Sequence, residues 1–291
     1  EMCIRDSHRK AAEWLETHNQ QFDAVQHYLA IGAHQEAARL MDTTAENLYI
    51  HNRLSTLRTW RQLLGDVNLE TAPKLALYQS RAAYKLGERE DALELAEIAE
   101  RGYELQDDEY GVIQARVQRC EIWLVQGLLE DARALAQQTL PLAETCSTPV
   151  AYEIHRILGR THVMLGDLEQ GLKHLRVALE LGDHYAHDYT RALIRTGLAQ
   201  CLGALGRLHE AVAMHREALT IWRKLGSDAG LADELNDLGF HLYTLGEFTE
   251  ALASVQEALT IARQTGLRQV EAIALVNLAE LTRDLGFLEA A

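Results

Sequence analysis

The chain reads as an all-α solenoid of antiparallel helix hairpins, and three observations predict it. Six glycines, Gly87, Gly127, Gly166, Gly206, Gly246 and Gly286, are separated by 40, 39, 40, 40 and 40 residues, and a fixed period of that size marks stacked copies of one supersecondary unit. Small residues keep the same time. Seven positions before each glycine stand Ser80, Cys120, Gly159, Ala199, Gly239 and Ala279, and five after it stand Ala92, Ala132, Gly171, Ala211, Ala251 and Ala291. Finally, 47% hydrophobic residues with only 6% aromatics and 3 Pro suit Ala/Leu-rich helices rather than sheets.

Taken in chain order, residues 1–7 are set apart first. They can be back-translated as GAG ATG TGT ATA AGA GAC AGC, which resembles the transposon end used in sequencing adapters, so this segment is expected to be adapter-derived and non-native. Residues 8–65 do not follow the forty-residue clock and read as short helical hairpins around 8–15, 22–30, 32–40 and 54–64. Residues 66–291 carry the repeats, the units at Gly87 and Gly127 being more degenerate than those at Gly166 and Gly206. Between them, Thr145 to Pro149, with Pro141 upstream, predicts an inter-repeat loop.

The unit at Gly246 shows the pattern best. Leu231, Leu235, Leu238, Leu242 and Leu245 step by four and three, which is helical periodicity. After the Gly246 turn, Thr249 is expected to cap a second helix carrying Ala251, Leu252, Val255, Ala258, Leu259 and Ala262 on one face, ended by Thr265 and Gly266. Residues 285–291 open a further hairpin, and the last repeat is expected to be truncated.

Composition also limits function. A net charge of -15, from 43 acidic against 28 basic residues, opposes a nucleic-acid surface, because duplex binding needs Lys and Arg to displace phosphate counterions. No apolar run approaches the roughly 20 residues that span a bilayer. Cys3, Cys120, Cys146 and Cys201 lie far apart without C-x-x-C spacing and read as reduced, mostly core thiols of a cytoplasmic protein. A P-loop and a G-x-S-x-G elbow are both missing from the sequence, and His209-Glu210 is followed by Ala213 where a zinc protease needs a second His. His184 and His187 in the Asp183 to Asp188 segment read as part of a polar inter-repeat loop with an Asp cap. His155 and His162, seven apart, fit one helix face, but scattered His in a repeat array are more often exposed or singly hydrogen-bonded, so no metal is assigned.

The small residues at Gly-7, Gly+5 and Gly+12 make residues 72–291 resemble the tetratricopeptide repeat, whose usual period is 34 residues. Helices one turn longer would account for the difference. The resemblance implies a right-handed superhelix whose concave groove is lined by the first helix of each unit. Carried onto this chain, the groove positions at Gly-10, Gly-6 and Gly-3 include Leu77, Arg81 and Tyr84, then Val117, Glu121 and Leu124, then Arg156, Arg160 and Val163. Later units supply Thr196, Gln200 and Gly203, then Asn236, Phe240 and Tyr243. Binding is expected at Arg81, Tyr84, Arg156, Arg160, Gln200, Asn236, Phe240 and Tyr243: guanidinium groups offer paired donors to carboxylates, and aromatic faces suit peptide side chains or sugars.

Residues 8–65 bring a second resemblance. His8-Arg9-x-Ala11-Ala12-x-Trp14, Ala24-Val25-x-His27-x-Leu29-Ala30-x-Gly32, Ala37-Ala38-Arg39-Leu40 and Leu57-x-x-Trp60-x-x-Leu63 are similar to the arm between ATPase and repeats in LuxR-type STAND regulators of the maltose-activator kind. That resemblance implies a non-enzymatic sensor or scaffold receiving a protein, a peptide or a small-molecule inducer. It places ATP only in an upstream module and DNA contact only in a downstream helix-turn-helix, with self-association through the full-length protein. The rival reading is a generic tetratricopeptide scaffold, including the tail of a cyclase or kinase.

Overall fold

The structure, a computed structural model, describes residues 2–18, 20–51, 53–65, 67–284 and 286, without the side chains of residues 2 and 3. Among the described residues there are fifteen α-helices and no strand. They fall into two compact units, residues 1–148 and 149–291.

The first unit contains α1 (Met2–Thr17), α2 (Gln21–Ala30), α3 (His34–Ile50), α4 (Leu54–Leu64), α5 (Pro73–Leu86), α6 (Arg89–Leu105), α7 (Glu109–Gln126) and α8 (Leu129–Thr145), with a 3-10 turn at Leu69–Thr71. Residues 2–7 continue α1, and Arg5 donates to the Ile31 carbonyl at 2.8 Å. The core of α2 to α5 is built on Val25, Tyr28, Leu40, Met41, Leu57, Trp60 and Leu75. At the start of α5 the cap is tertiary: Ala72 offers no side-chain acceptor, so the Asp42 carboxylate of α3 accepts from the Leu75 amide at 2.7 Å. Burial pushes the Asp42 carboxyl up, against the pull of that amide and Lys74. A second polar tie joins α6 to α7, where the nearly buried Glu100 carboxylate accepts from Arg116 and Arg119 at 2.6 Å each and Arg119 stacks on Trp123.

The second unit contains α9 (Ala151–Met164), α10 (Leu168–Tyr185), α11 (Asp188–Ala204), α12 (Leu208–Leu225), α13 (Asp228–Leu245), α14 (Phe248–Thr265) and α15 (Arg268–Asp284). Helices α13 and α14 have 18 residues each and are separated by two-residue turns, which together fill the forty-residue period. The longer helices anticipated from the period are therefore present. The clock glycines take left-handed φ values of +74° to +85°, where a Cβ would be strained, so each closes its hairpin.

The two small positions meet inside each hairpin. Ser80 Oγ donates to the Ala92 carbonyl at 2.6 Å and Cys120 Sγ to the Ala132 carbonyl at 3.5 Å. A Cβ on Gly171 would stand 3.1 Å from the Gly159 carbonyl oxygen, and one on Gly239 would stand 3.3 Å from the Ala251 carbonyl oxygen and 2.5 Å from Val255 Cγ2. Ala199, Ala211 and Ala251 are fully buried.

Three local expectations are refined. Helix α14 starts at Phe248 with Glu247 in the cap position and no side-chain cap, so Thr249 is not the cap. The chain leaves left-handed Gly246 directly into the helix, and the Ala251 amide already bonds the Glu247 carbonyl. Pro141 lies inside α8, and the loop begins only at Cys146. Asp183 belongs to α10, while Asp188 opens α11 and pairs with Arg191 and Lys224 instead of capping. Ala291 and the rest of 287–291 lie outside the described residues.

The packing of α13 on α14 yields a direct test. Gly239→Ala and Ala251→Leu should each lower stability by about 1–3 kcal/mol through overpacking, read as a drop in melting temperature; unchanged melts would refute the register.

Candidate functional site

In the second unit the first helices α9, α11, α13 and α15 stack in succession, and their polar side chains reach from each repeat to the next. Gln200 donates to Asp237 at 2.9 Å, Asn277 donates to Asn236 at 2.9 Å, and the Tyr243 hydroxyl donates to Asp284. Beside this ladder Phe240 is half exposed, its ring edge-on to His241. Gly239, Phe240, Tyr243, Asn277, Glu280 and Leu281 line a shallow depression. Amide side chains carry both a donor and an acceptor, and with an adjacent aromatic face they form a surface able to bond an extended peptide backbone.

The anticipated residues are placed as follows. Gln200, Asn236, Phe240 and Tyr243 share the stacked face of α11, α13 and α15, with Asn236 buried. On α9, Arg156 is buried at 3% exposure, and the half-buried Arg160 lays its stem where a Cβ on Gly197 would meet Cγ at 3.5 Å. Arg81 and Tyr84 belong to the first unit. There Arg81 donates to Gln114 at 2.6 Å and lies over Tyr78, and Tyr84 packs on Ala83, Ala92, Ala96 and Ile122. Leu77, Val117 and Leu124, at groove positions in the repeat register, are core residues.

Sequence reasoning missed the acceptors that complete the ladder, Asp237 and Asp284, and the donor Asn277. Asp237 and Asn277 stand at the same distance before their clock glycines, so comparing the repeats column by column would have exposed them. It also missed a buried network behind the ladder. Glu234 accepts from the Thr196 hydroxyl and, at 2.6 Å, from His215 Nδ1, while His215 Nε2 lies 2.9 Å from His241 Nδ1. His241 Nδ1 also faces the Asp237 carbonyl at 3.1 Å. One N–H on His241 Nδ1 shared between that carbonyl and a bare His215 Nε2 satisfies every partner. Burial and neighbouring His215 hold the His241 imidazole below its ordinary range. Gly203 is glycine for a packing reason, since a Cβ there would stand 1.9 Å from His241 Nε2.

A second histidine group lies between α9 and α10. His155 and His174 bring their Nδ1 atoms to 2.9 Å, and His162 stacks on His174 with centroids 5.6 Å apart. Burial first, then His155, His162 and Lys173, lower His174 to about 4. Among the described residues no group of three or more His, Cys, Asp or Glu side chains is arranged to hold a metal ion, and no helix is long and apolar enough to cross a membrane. Cys120 and Cys201 are buried and Cys146 is partly so.

Comparison with known proteins matches this geometry to its type. Residues 148–224 and 190–264 match the tetratricopeptide repeat family, so this stretch is a tetratricopeptide repeat region. No curated protein matches the chain significantly in sequence. Among solved structures, a Rap protein complexed with Competence and Sporulation Factor is 15% identical, with a TM-score of 0.67 over 97% of this chain and 86% of that one. A STAND protein with a tetratricopeptide repeat sensor from Pyrococcus horikoshii is 12% identical, with a TM-score of 0.60 over 98% of this chain and 50% of that one. BtubC from P. vanneervenii is 18% identical, with a TM-score of 0.54 over 76% and 85%. These likenesses show the fold.

The histidine group on α9 and α10 predicts a pH dependence. Below its ordinary value of 6.5 the unfolded His174 takes up a proton that the folded side chain refuses until about pH 4. Stability from this group is therefore complete above about pH 6.5 and lost as pH falls toward 4. Melting curves across that range should show a steeper decline for the wild type than for His174→Gln; parallel profiles would contradict it.

Proposed function

We propose that this tetratricopeptide repeat region is the sensor of a STAND-type regulator and takes a peptide or protein segment on the first-helix face of its second unit. The observation that carries the reading is the ladder of Gln200, Asp237, Asn236, Asn277, Tyr243 and Asp284 beside half-exposed Phe240. An extended segment laid along it would exchange backbone hydrogen bonds with the amides, while Phe240 and Tyr243 supply contact area at low entropic cost. Arg160, on the next first helix, suits an acidic group in that segment.

The regulator reading is supported by the fold shared with the Pyrococcus horikoshii STAND protein, whose repeats are its sensor, and by the arm-like motifs of residues 8–65. On this reading residues 8–65 are the arm and 66–291 the repeats, while ATP and DNA belong to flanking modules. Coding sequence with a P-loop before the arm and a helix-turn-helix after the repeats would support it, and a kinase or cyclase module there would overturn it.

The groove is tested with peptides selected from a random display library against the wild-type chain. Asn236→Ala, Phe240→Ala, Tyr243→Ala and Arg160→Glu should each weaken the selected peptide by about 1–3 kcal/mol, measured by fluorescence anisotropy at unchanged helix content. Wild-type affinity in all four, with binding lost in Arg216→Glu on α12, would overturn the assignment.

A further inference from the structure

A cleft of about 420 Å³ opens in the first unit between α4, α5 and α6, far in the chain from the ladder, with Leu57, Ala82, Ala83 and Leu95 as its apolar floor. Its wall holds Gln79, which is 2% exposed. Gln79 Nε2 donates to the Leu57 carbonyl at 3.3 Å, and its buried Oε1 meets no donor among the described residues. A buried acceptor left in this state costs free energy that a donor from outside would recover.

The rim carries charge of both signs. Arg58 faces Glu88 at 3.3 Å, and Arg61 faces Asp91 at 3.0 Å and Glu94 at 3.3 Å. These side chains are 30% to 64% exposed, and ion pairs that solvent reaches hold little net energy. Their guanidinium and carboxylate groups are therefore free to exchange partners at small cost.

The geometry points to a ligand site for a small zwitterion of dipeptide type. Its carboxylate takes the Arg58 and Arg61 donors, its ammonium group takes Glu88 and Asp91, an N–H of the peptide satisfies Gln79 Oε1, and an apolar side chain covers the Leu57 and Leu95 floor. A neutral sugar would satisfy Gln79 but leave all the rim charges as they are. A net anion or cation would meet charge of its own sign on the rim. The volume lies within the range of small-molecule sites. The site is separate from the peptide face of the second unit and does not rest on that reading.

The test titrates glycyl-leucine into the full chain by calorimetry and by thermal melting, beside N-acetyl-glycyl-leucinamide and trehalose. Saturable heat and a raised melting temperature are expected for glycyl-leucine alone. Gln79→Leu and Arg61→Ala should each weaken it about tenfold or more, equivalent to at least about 1.4 kcal/mol, whereas Tyr243→Ala should bind it as the wild type does. Arg61→Ala alters only the rim and keeps the test decisive should Gln79→Leu fail to fold. No response to glycyl-leucine, an equal response to either uncharged comparator, or wild-type affinity in Arg61→Ala would overturn the proposal.

Discussion

The repeats depend on one close approach, made again in each hairpin of the forty-residue clock from α5 to α14: the first helix against the second at the two small positions. Where those residues are Ser80 and Ala92, or Cys120 and Ala132, a short side chain bonds the facing carbonyl across the contact. Where they are Gly159 with Gly171, or Gly239 with Ala251, the contact is too tight for a further Cβ on the glycine. Interiors are close-packed, so a methyl group here would meet Leu175, Val163 or Val255 side chains first and the facing backbone close behind. The left-handed glycine after each first helix then fixes where the second begins.

With that distance set, each first helix stands beside the next, and polar side chains can span repeats. In the second unit the bonds link residues 37 to 41 apart in sequence, as in Gln200 with Asp237 and Asn236 with Asn277. Such bonds couple neighbours only, which is how repeat arrays gain stability. Behind them Glu234 and His215 are both almost fully buried, and their mutual bond and the Thr196 hydroxyl offset a desolvation cost that neither could meet alone. The same helices thus hold the core on one side and a satisfied polar face on the other.

In the first unit the ties are different in kind. Asp42 lends α5 the cap that Ala72 lacks, and Glu100 gathers two arginines from α7. Gln79 is the contrast, because one of its two polar atoms is satisfied and the other is not. That imbalance gives the cleft at α4, α5 and α6 its chemical character.

The sequence by itself determined the helical class, the hairpin period and the helix length, because glycine φ and small-residue contacts recur at fixed spacing and need no long-range information. It also marked a loop over residues 145–149, one residue early, and placed Gln200, Asn236, Phe240 and Tyr243 on first helices. Only the tertiary structure decided which polar residues touch. Leu77, Arg156 and Asn236, ten before their glycines, are all buried, whereas Gln200 and Phe240, six before theirs, are exposed. Asp42, Gln79 and His215 gave no periodic signal, since each takes its role from a helix that its own sequence neighbourhood does not specify. A repeat fixes the direction of a side chain and its depth in the fold, but its hydrogen-bond partners come from the neighbouring repeat, whose residues at the same position differ.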